Sequence, residues 1–206
     1  QPKIPASDAV RSEWLRRVEA EYRSAAITQH LCLWLIQIGA SPDLVELGLR
    51  IVRDELAHAR LSHLVHAAAR GDAVPTLVRE TLALQRHEGD PLEHDVVRTA
   101  VETFCLGETV AVPLFAEIRR PCVVPTARRA LDRILRDEVR HRDFGWTLLE
   151  WLLEQPGAEV LREVVVAELP AMFRRLRRSY GVSVPTAPRR MPDDDRAWGL
   201  MPIGLY

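Results

Sequence analysis

Cysteine is scarce in this chain. Its three cysteines, Cys32, Cys105 and Cys122, show no Cys-x-x-Cys spacing and make no even set for a disulfide framework. Cys32 and Cys105 fall in apolar stretches and read as buried thiols, which favours a reducing compartment and a cytoplasmic location. An excess of charge of either sign is missing as well: 28 Lys and Arg stand against 29 Asp and Glu, a net charge of −1. That balance argues against a general nucleic-acid surface and leaves only local basic clusters. No run of about 18 apolar residues is free of charge, so no membrane span is expected. Sustained strand alternation is absent too. The chain also lacks an initiating Met. Gln1 points to removal of an upstream segment, with export after signal cleavage as one alternative.

What is present is helical periodicity. With 206 residues and 47% hydrophobic content, the chain can bury a core as one domain or a domain with an appendage. A first helix is expected from about Ser12, its cap, to Ile38. Gly39 and Pro42 break it, and a second runs from about Asp43 to Arg70 and stops at Gly71. Residues 71–91 hold a short helical piece, Leu77 to His87, and are long enough for a crossover connection. A third helix runs from about Leu92 to Arg119, a fourth from Thr126 to Gln155 and a fifth from Ala158 to Tyr180, stopped by Gly181. Beyond it Pro185 to Tyr206, rich in Pro, Asp and Gly, reads as an extended tail. The expected fold class is therefore all-α, with residues 12–155 as a four-helix bundle and 156–206 as a helix and tail packing on it.

One hexapeptide pattern occurs twice: Arg53-Asp54-Glu55-Leu56-Ala57-His58 and Arg136-Asp137-Glu138-Val139-Arg140-His141. Glu and His three apart on a helix project from one face, so each copy offers a carboxylate and an imidazole to one point. Two such pairs, with one Glu from each of two further helices, make the ligand set of a dimetal site inside a helical bundle. The doubling extends outward, because Pro42 and Pro125 each precede the motif Glu by 13 positions. It predicts two antiparallel helix pairs joined by the 71–91 connection.

Register supplies the other acids. On the first helix Glu21 shares a stripe with Ala25, Thr28, Cys32 and Leu35, while Glu19 is rotated roughly 200° away. On the third, Glu108 shares a stripe with Val101, Phe104, Cys105, Ala111 and Phe115 and is preferred, with Glu102 as the alternative. A mere surface ion-pair network, with Arg53 and Arg136 neutralising the acids, would turn the motif Glu residues outward. Ile51, Val52 and Ser62 flank Glu55, however, and Ile134, Leu135 and Gly145 flank Glu138, so both faces read inward. Four carboxylates in an apolar core would repel one another and resist ionisation, and two divalent cations would neutralise them. Carboxylate oxygen with imidazole nitrogen suits Fe or Mn, without excluding Zn.

The set Glu21, Glu55-x-x-His58, Glu108, Glu138-x-x-His141 resembles the ferritin-like di-iron carboxylate superfamily over about residues 12–155. The Asp before each Glu resembles the oxygen-activating branch: ribonucleotide reductase small subunits, acyl-carrier-protein desaturases and bacterial monooxygenases. The resemblance implies a ferritin-like bundle with one crossover, two Fe ions or a Mn/Fe pair, and Asp54 and Asp137 as acceptors for the N–H of a ligand His, each toward the His of the other motif. It implies an enzyme that reduces O2 and oxidises or oxygenates a small organic substrate, fed by an unidentified electron donor. Ile51 and Ile134 stand where arylamine N-oxygenases carry an extra His, which counts against that subgroup. Alternatives are a ferritin- or rubrerythrin-like iron oxidase or peroxide scavenger, and a partner-binding module without catalysis. The missing cysteine pairs count against a full rubrerythrin, and the Asp before each Glu counts against storage.

Ala25, Thr28, Cys105, Gly107 and Gly145 are small residues expected to leave room beside the metals and line a pocket. Pro113 frees the carbonyl of Thr109 and should bend the third helix next to Glu108. His66 reads as a partly buried structural residue. The arginines at 174–178 read as a solvated helix end, and Trp198, Met201 and Leu205 as a tail face packing on the bundle or in a homodimer.

Overall fold

The structure, a computed structural model, describes residues 4–180 and 191–201. Among these, every regular element is helical. Helix α1 spans Asp8–Gln37 and α2 spans Pro42–Ala68. A continuous rod, Leu92–Arg119, consists of α3 (Leu92–Thr99), a π-helical segment (Ala100–Glu108) and α4 (Thr109–Arg119). Helix α5 spans Pro125–Glu154, α6 Ala158–Ser179 and α7 Asp193–Ala197.

The first helix begins earlier than Ser12. Ser7 caps it, its hydroxyl accepting from Val10 N at 3.2 Å, because Val10 and Trp14 are buried and extend the apolar stripe toward the N-terminus. Ser41 caps α2 in the same way, with Pro42 at the first helical position. Helix α2 ends at Ala68, short of Arg70, which takes a left-handed φ of 62°. Gly71 serves packing, since a Cβ there would lie 2.2 Å from the His66 ring.

The expected helical piece Leu77–His87 is absent; only Arg79–Thr81 forms a 3-10 turn. Leu77 and Val78 are exposed, so no apolar face repays helix formation. Side chains pin the segment instead. Glu19 accepts from Thr76 N at 2.7 Å, His30 from Leu84 N at 3.0 Å and Asp95 from Arg86 at 2.7 Å.

Helix α1 packs along α2, α2 along α5, and α5 along the rod, whose α3 part also meets α1. By length and composition alone this rod is the one described helix apolar enough to cross a membrane, a test that core helices also pass. It carries Glu102 and Glu108 within that length. Helix α6 lies against α3, α5 and the π segment, tied by Arg98–Glu168 at 2.6 Å and a two-bond Arg175–Glu102 pair. The tail is not wholly extended: α7 forms, and Trp198 and Leu200 are buried beside Val10, Trp14 and Leu131, with Met201 packed against that cluster. Trp198 O accepts from Trp14 Nε1 and Gly199 O from Arg17, both at 2.9 Å. Leu205, Gly181 and the Pro185 end of the tail lie outside the described residues.

The apolar interior falls into two clusters. One gathers Leu31, Leu35, Ile51, Phe104, Phe144 and Leu148; the other gathers Trp14, Val65, Ile118, Leu131 and Trp198. On α1, α2, the rod and α5 alike, Glu21, Glu55, Glu108 and Glu138 stand between residues of the two clusters in sequence. A buried ionisable layer thus divides the core. The three cysteines are free and buried.

Candidate metal centre

The layer is built from both motifs and their register partners. Glu21, Glu55, His58, Glu108, Glu138 and His141 are all buried, and both His are fully so. Single donor atoms of Glu21, Glu55 and His58 lie within 4.8 Å of one another, as do those of Glu55, Glu108 and His141. Glu55 and Glu138 stand between the imidazoles. Glu55 Oε2 is 3.5 Å from His58 Nδ1 and Oε1 is 3.5 Å from His141 Nδ1. Glu138 spans the same gap at 3.9 and 3.4 Å. Glu21 flanks His58 at 3.6 Å, and Glu108 falls on the His141 side.

Each imidazole turns Nδ1 into the acids and Nε2 away from them. His58 Nε2 donates to Asp137 Oδ2 at 3.1 Å, and His141 Nε2 faces Asp54 Oδ2 at 3.7 Å, beyond hydrogen-bonding reach. Each Asp therefore meets the His of the other motif. Arg133 and Arg140 bridge the two Asp carboxylates from behind. Arg140 reaches Asp54 at 2.9 Å and Asp137 at 2.6 Å, and Arg133 reaches Asp54 at 3.0 Å and also bonds Asp137. Arg133 and Arg140 stand four before and three after Asp137, a helical ion-pair spacing that the sequence reading passed over in favour of Arg53 and Arg136. Arg136 lies 3.7 Å from Asp137. Ser24, also unanticipated, donates to Glu55 Oε1 at 2.8 Å.

Burial, then the charge of Glu55, raises the Glu21 carboxyl to about 8. Burial and Glu138 raise Glu108 well above its ordinary value. Glu55 is held at about 2, because contact with His58 and the charge of His141 outweigh burial. Burial opposes charge on both imidazoles, but Asp137 and Glu21 raise His58 to about 12, and Asp54 and Glu138 raise His141 to about 9. Despite burial, His141 and Arg140 hold Asp54, and His58 and Arg133 hold Asp137, far below the usual carboxylate range. Without a cation the layer thus keeps protons on its imidazoles and on two acids.

Five buried atoms of this layer have no hydrogen-bond partner: His141 Nε2, on the Asp54 side, and four on the inner side, His58 Nδ1, His141 Nδ1, Glu55 Oε2 and Glu138 Oε2. Buried polar atoms are ordinarily satisfied. The inner four are oxygen and imidazole nitrogen donors gathered at one place, the arrangement a metal ion completes. The layer could hold a metal.

Glu102 turns away from the layer to pair with Arg175. The small residues divide. A Cβ on Gly145 would lie 2.5 Å from Phe104 Cβ and 2.8 Å from Phe104 C, so this glycine admits the π segment against α5 and leaves no room beside the acids. Ala25, Thr28 and Cys105 are buried but do not line the cavity that opens on the layer. That cavity, about 490 Å³, is bounded at its inner end by Glu21, Ser24, Glu55, Glu108 and Glu138. Neither a protein-family model nor a curated protein nor a solved structure matches this chain.

Proposed function

We propose that this chain is a ferritin-like dimetal oxidoreductase, which uses two iron ions, or a manganese–iron pair, to reduce O2 and oxidise or oxygenate a small organic substrate. In this reading α1, α2, the rod and α5 form a ferritin-like bundle, with residues 69–91 as its one crossover. Glu21 with His58 would hold one ion and Glu108 with His141 the other, with Glu55 and Glu138 shared between them. The two ions would supply electrons to O2 when bound.

The chain's own residues would set the conditions. Asp137 fixes the His58 tautomer by accepting from Nε2, which leaves the Nδ1 lone pair for the metal. Arg133 and Arg140 keep Asp54 and Asp137 ionised, so both remain acceptors. Ser24 orients Glu55 by donating to Oε1. The two apolar clusters flank the layer and leave the cavity as its approach from solvent.

The observation that carries this reading is the convergence of unpartnered donors from both motifs at the inner end of an open cavity. The cavity favours an organic substrate over iron storage or peroxide scavenging, because those need no substrate-sized space. The test is anaerobic loading with Fe(II), then exposure to O2 while absorption and oxygen uptake are followed. Two irons per chain with oxygen consumption are expected. A chain that takes up neither iron nor manganese overturns the proposal.

A further inference from the structure

The cavity over the acid layer is asymmetric, and its asymmetry speaks to what enters. One wall is apolar and comes from α4: Ala111, Leu114, Phe115 and Ile118. The lining also holds Arg16 and Arg17 of α1 and Arg178 of α6, with Glu13 beside the first two. Glu13 accepts from Arg16 at 2.8 and 2.9 Å and from Arg17 at 3.0 Å, and the other acids of the lining, Glu21, Glu55, Glu108 and Glu138, belong to the layer at the inner end.

Arg17 is the unusual member. It is 5% exposed, its guanidinium lies 4.3 Å over the Trp14 ring, and a second nitrogen donates to Gly199 O. The remaining nitrogen, NH1, has no partner. Arg17 lines the cavity, and a buried guanidinium nitrogen is costly to leave unbonded and pairs readily with a carboxylate. Arg178, exposed at the outer end, has no acidic partner among the described residues.

We infer that this cavity selects a small monocarboxylate with an apolar body, its charged end at Arg17 and Arg178 and its body along α4. The inference rests on the dimetal reading only for what happens at the inner end. Arg17 and Glu21 lie one turn apart on α1, about 6 Å along the axis. A carboxylate held there presents a carbon several bonds away to the acid layer.

The test measures equilibrium binding of octanoate and octanamide to the full chain, as isolated and after anaerobic Fe(II) loading. Octanoate should bind about tenfold tighter than octanamide, as expected when one charge-assisted contact is lost. Arg17→Gln would also cost the bond to Gly199, so Arg178→Gln carries the argument. It should weaken octanoate about tenfold, leave octanamide unchanged and keep the iron content. Leu114→Trp, which fills the apolar wall, should weaken both ligands. Equal affinity for octanoate and octanamide, no binding of either, or no effect of Arg178→Gln overturns the inference. A chain that prefers octanoate yet binds no iron would overturn the dimetal reading and leave this site standing. Iron uptake without a carboxylate preference would do the reverse.

Discussion

Glu55 and Glu138 occupy equivalent places between the two imidazoles, and their removal should tell the same story. Glu138→Ala takes away a shared oxygen donor but also relieves repulsion in the acid layer, so the chain should stay folded while metal content falls from two ions to one. Elemental analysis against circular dichroism decides it; unchanged stoichiometry would reject the assignment. Proton competition gives a second expectation. Metal binding requires both imidazoles, Glu21 and Glu108 to lose their protons, and within reach of a titration these include Glu21, raised to about 8, and His141, raised to about 9. Those protons are held below these values and released above them, so apparent metal affinity should climb steadily from pH 6 to pH 9. A competition titration giving a flat profile would contradict the layer's charge arrangement. At this scale the four motif residues are legible because Glu-x-x-His spacing is local to one helix face, while Glu21 and Glu108 come from stripe register; the fold brings all six together. Ser24 is not legible, since its role depends on Glu55 lying across an interhelical gap.

The long helices are legible from periodicity, whereas the short piece at Leu77–His87 and two features of the rod are not. A search at 3.6 residues per turn cannot register the π segment Ala100–Glu108, in which the turn widens and the side chains shift around the axis. Pro113 signalled distortion near Glu108, and the observed distortion lies on the other side of it. Gly145 was read as making space at the site, when its missing Cβ lets α5 press against the backbone of Phe104 and Cys105. Gly145→Ala places that Cβ 2.5 Å from Phe104 Cβ and 2.9 Å from Cys105 N, and neither can step aside without moving the π segment. Alanine favours the helix by about 1 kcal/mol, and overpacking of about 1–3 kcal/mol should exceed it. The expected result is a Tm several degrees lower in calorimetry, with metal affinity reduced because Glu108 closes the displaced segment. An unchanged or higher Tm would mean that the two helices have slack here.

Over the whole molecule, the chain's last described stretch closes one end of the core, and that closure depends on contacts spanning nearly its full length. Trp14 Nε1 donates to Trp198 O, and Trp198 Nε1 donates to Ile4 O at 3.2 Å. Val123 N and Val124 N both donate to Ala197 O, at 3.0 and 3.1 Å, which ties the tail to the turn before α5 as well. Composition alone marked residues 185–206 as irregular, because Pro, Asp and Gly dominate them. The burial of Trp198 comes from a cleft formed by distant segments, which local patterns do not encode. Trp198→Ala should therefore cost about 3–5 kcal/mol, the range for emptying a large aromatic site. That corresponds to a Tm lower by roughly 10 °C in a domain of this size. The acid layer stands beyond this cluster, between it and the Phe104–Phe144 cluster, so two metals per chain should still bind below the new transition. Scanning calorimetry with metal analysis of the same sample separates the two effects. If Trp198→Ala melted as the parent does, the tail would be an ornament on the helices. If it lost its metals while folded, the two halves of the core would be coupled through the layer that divides them.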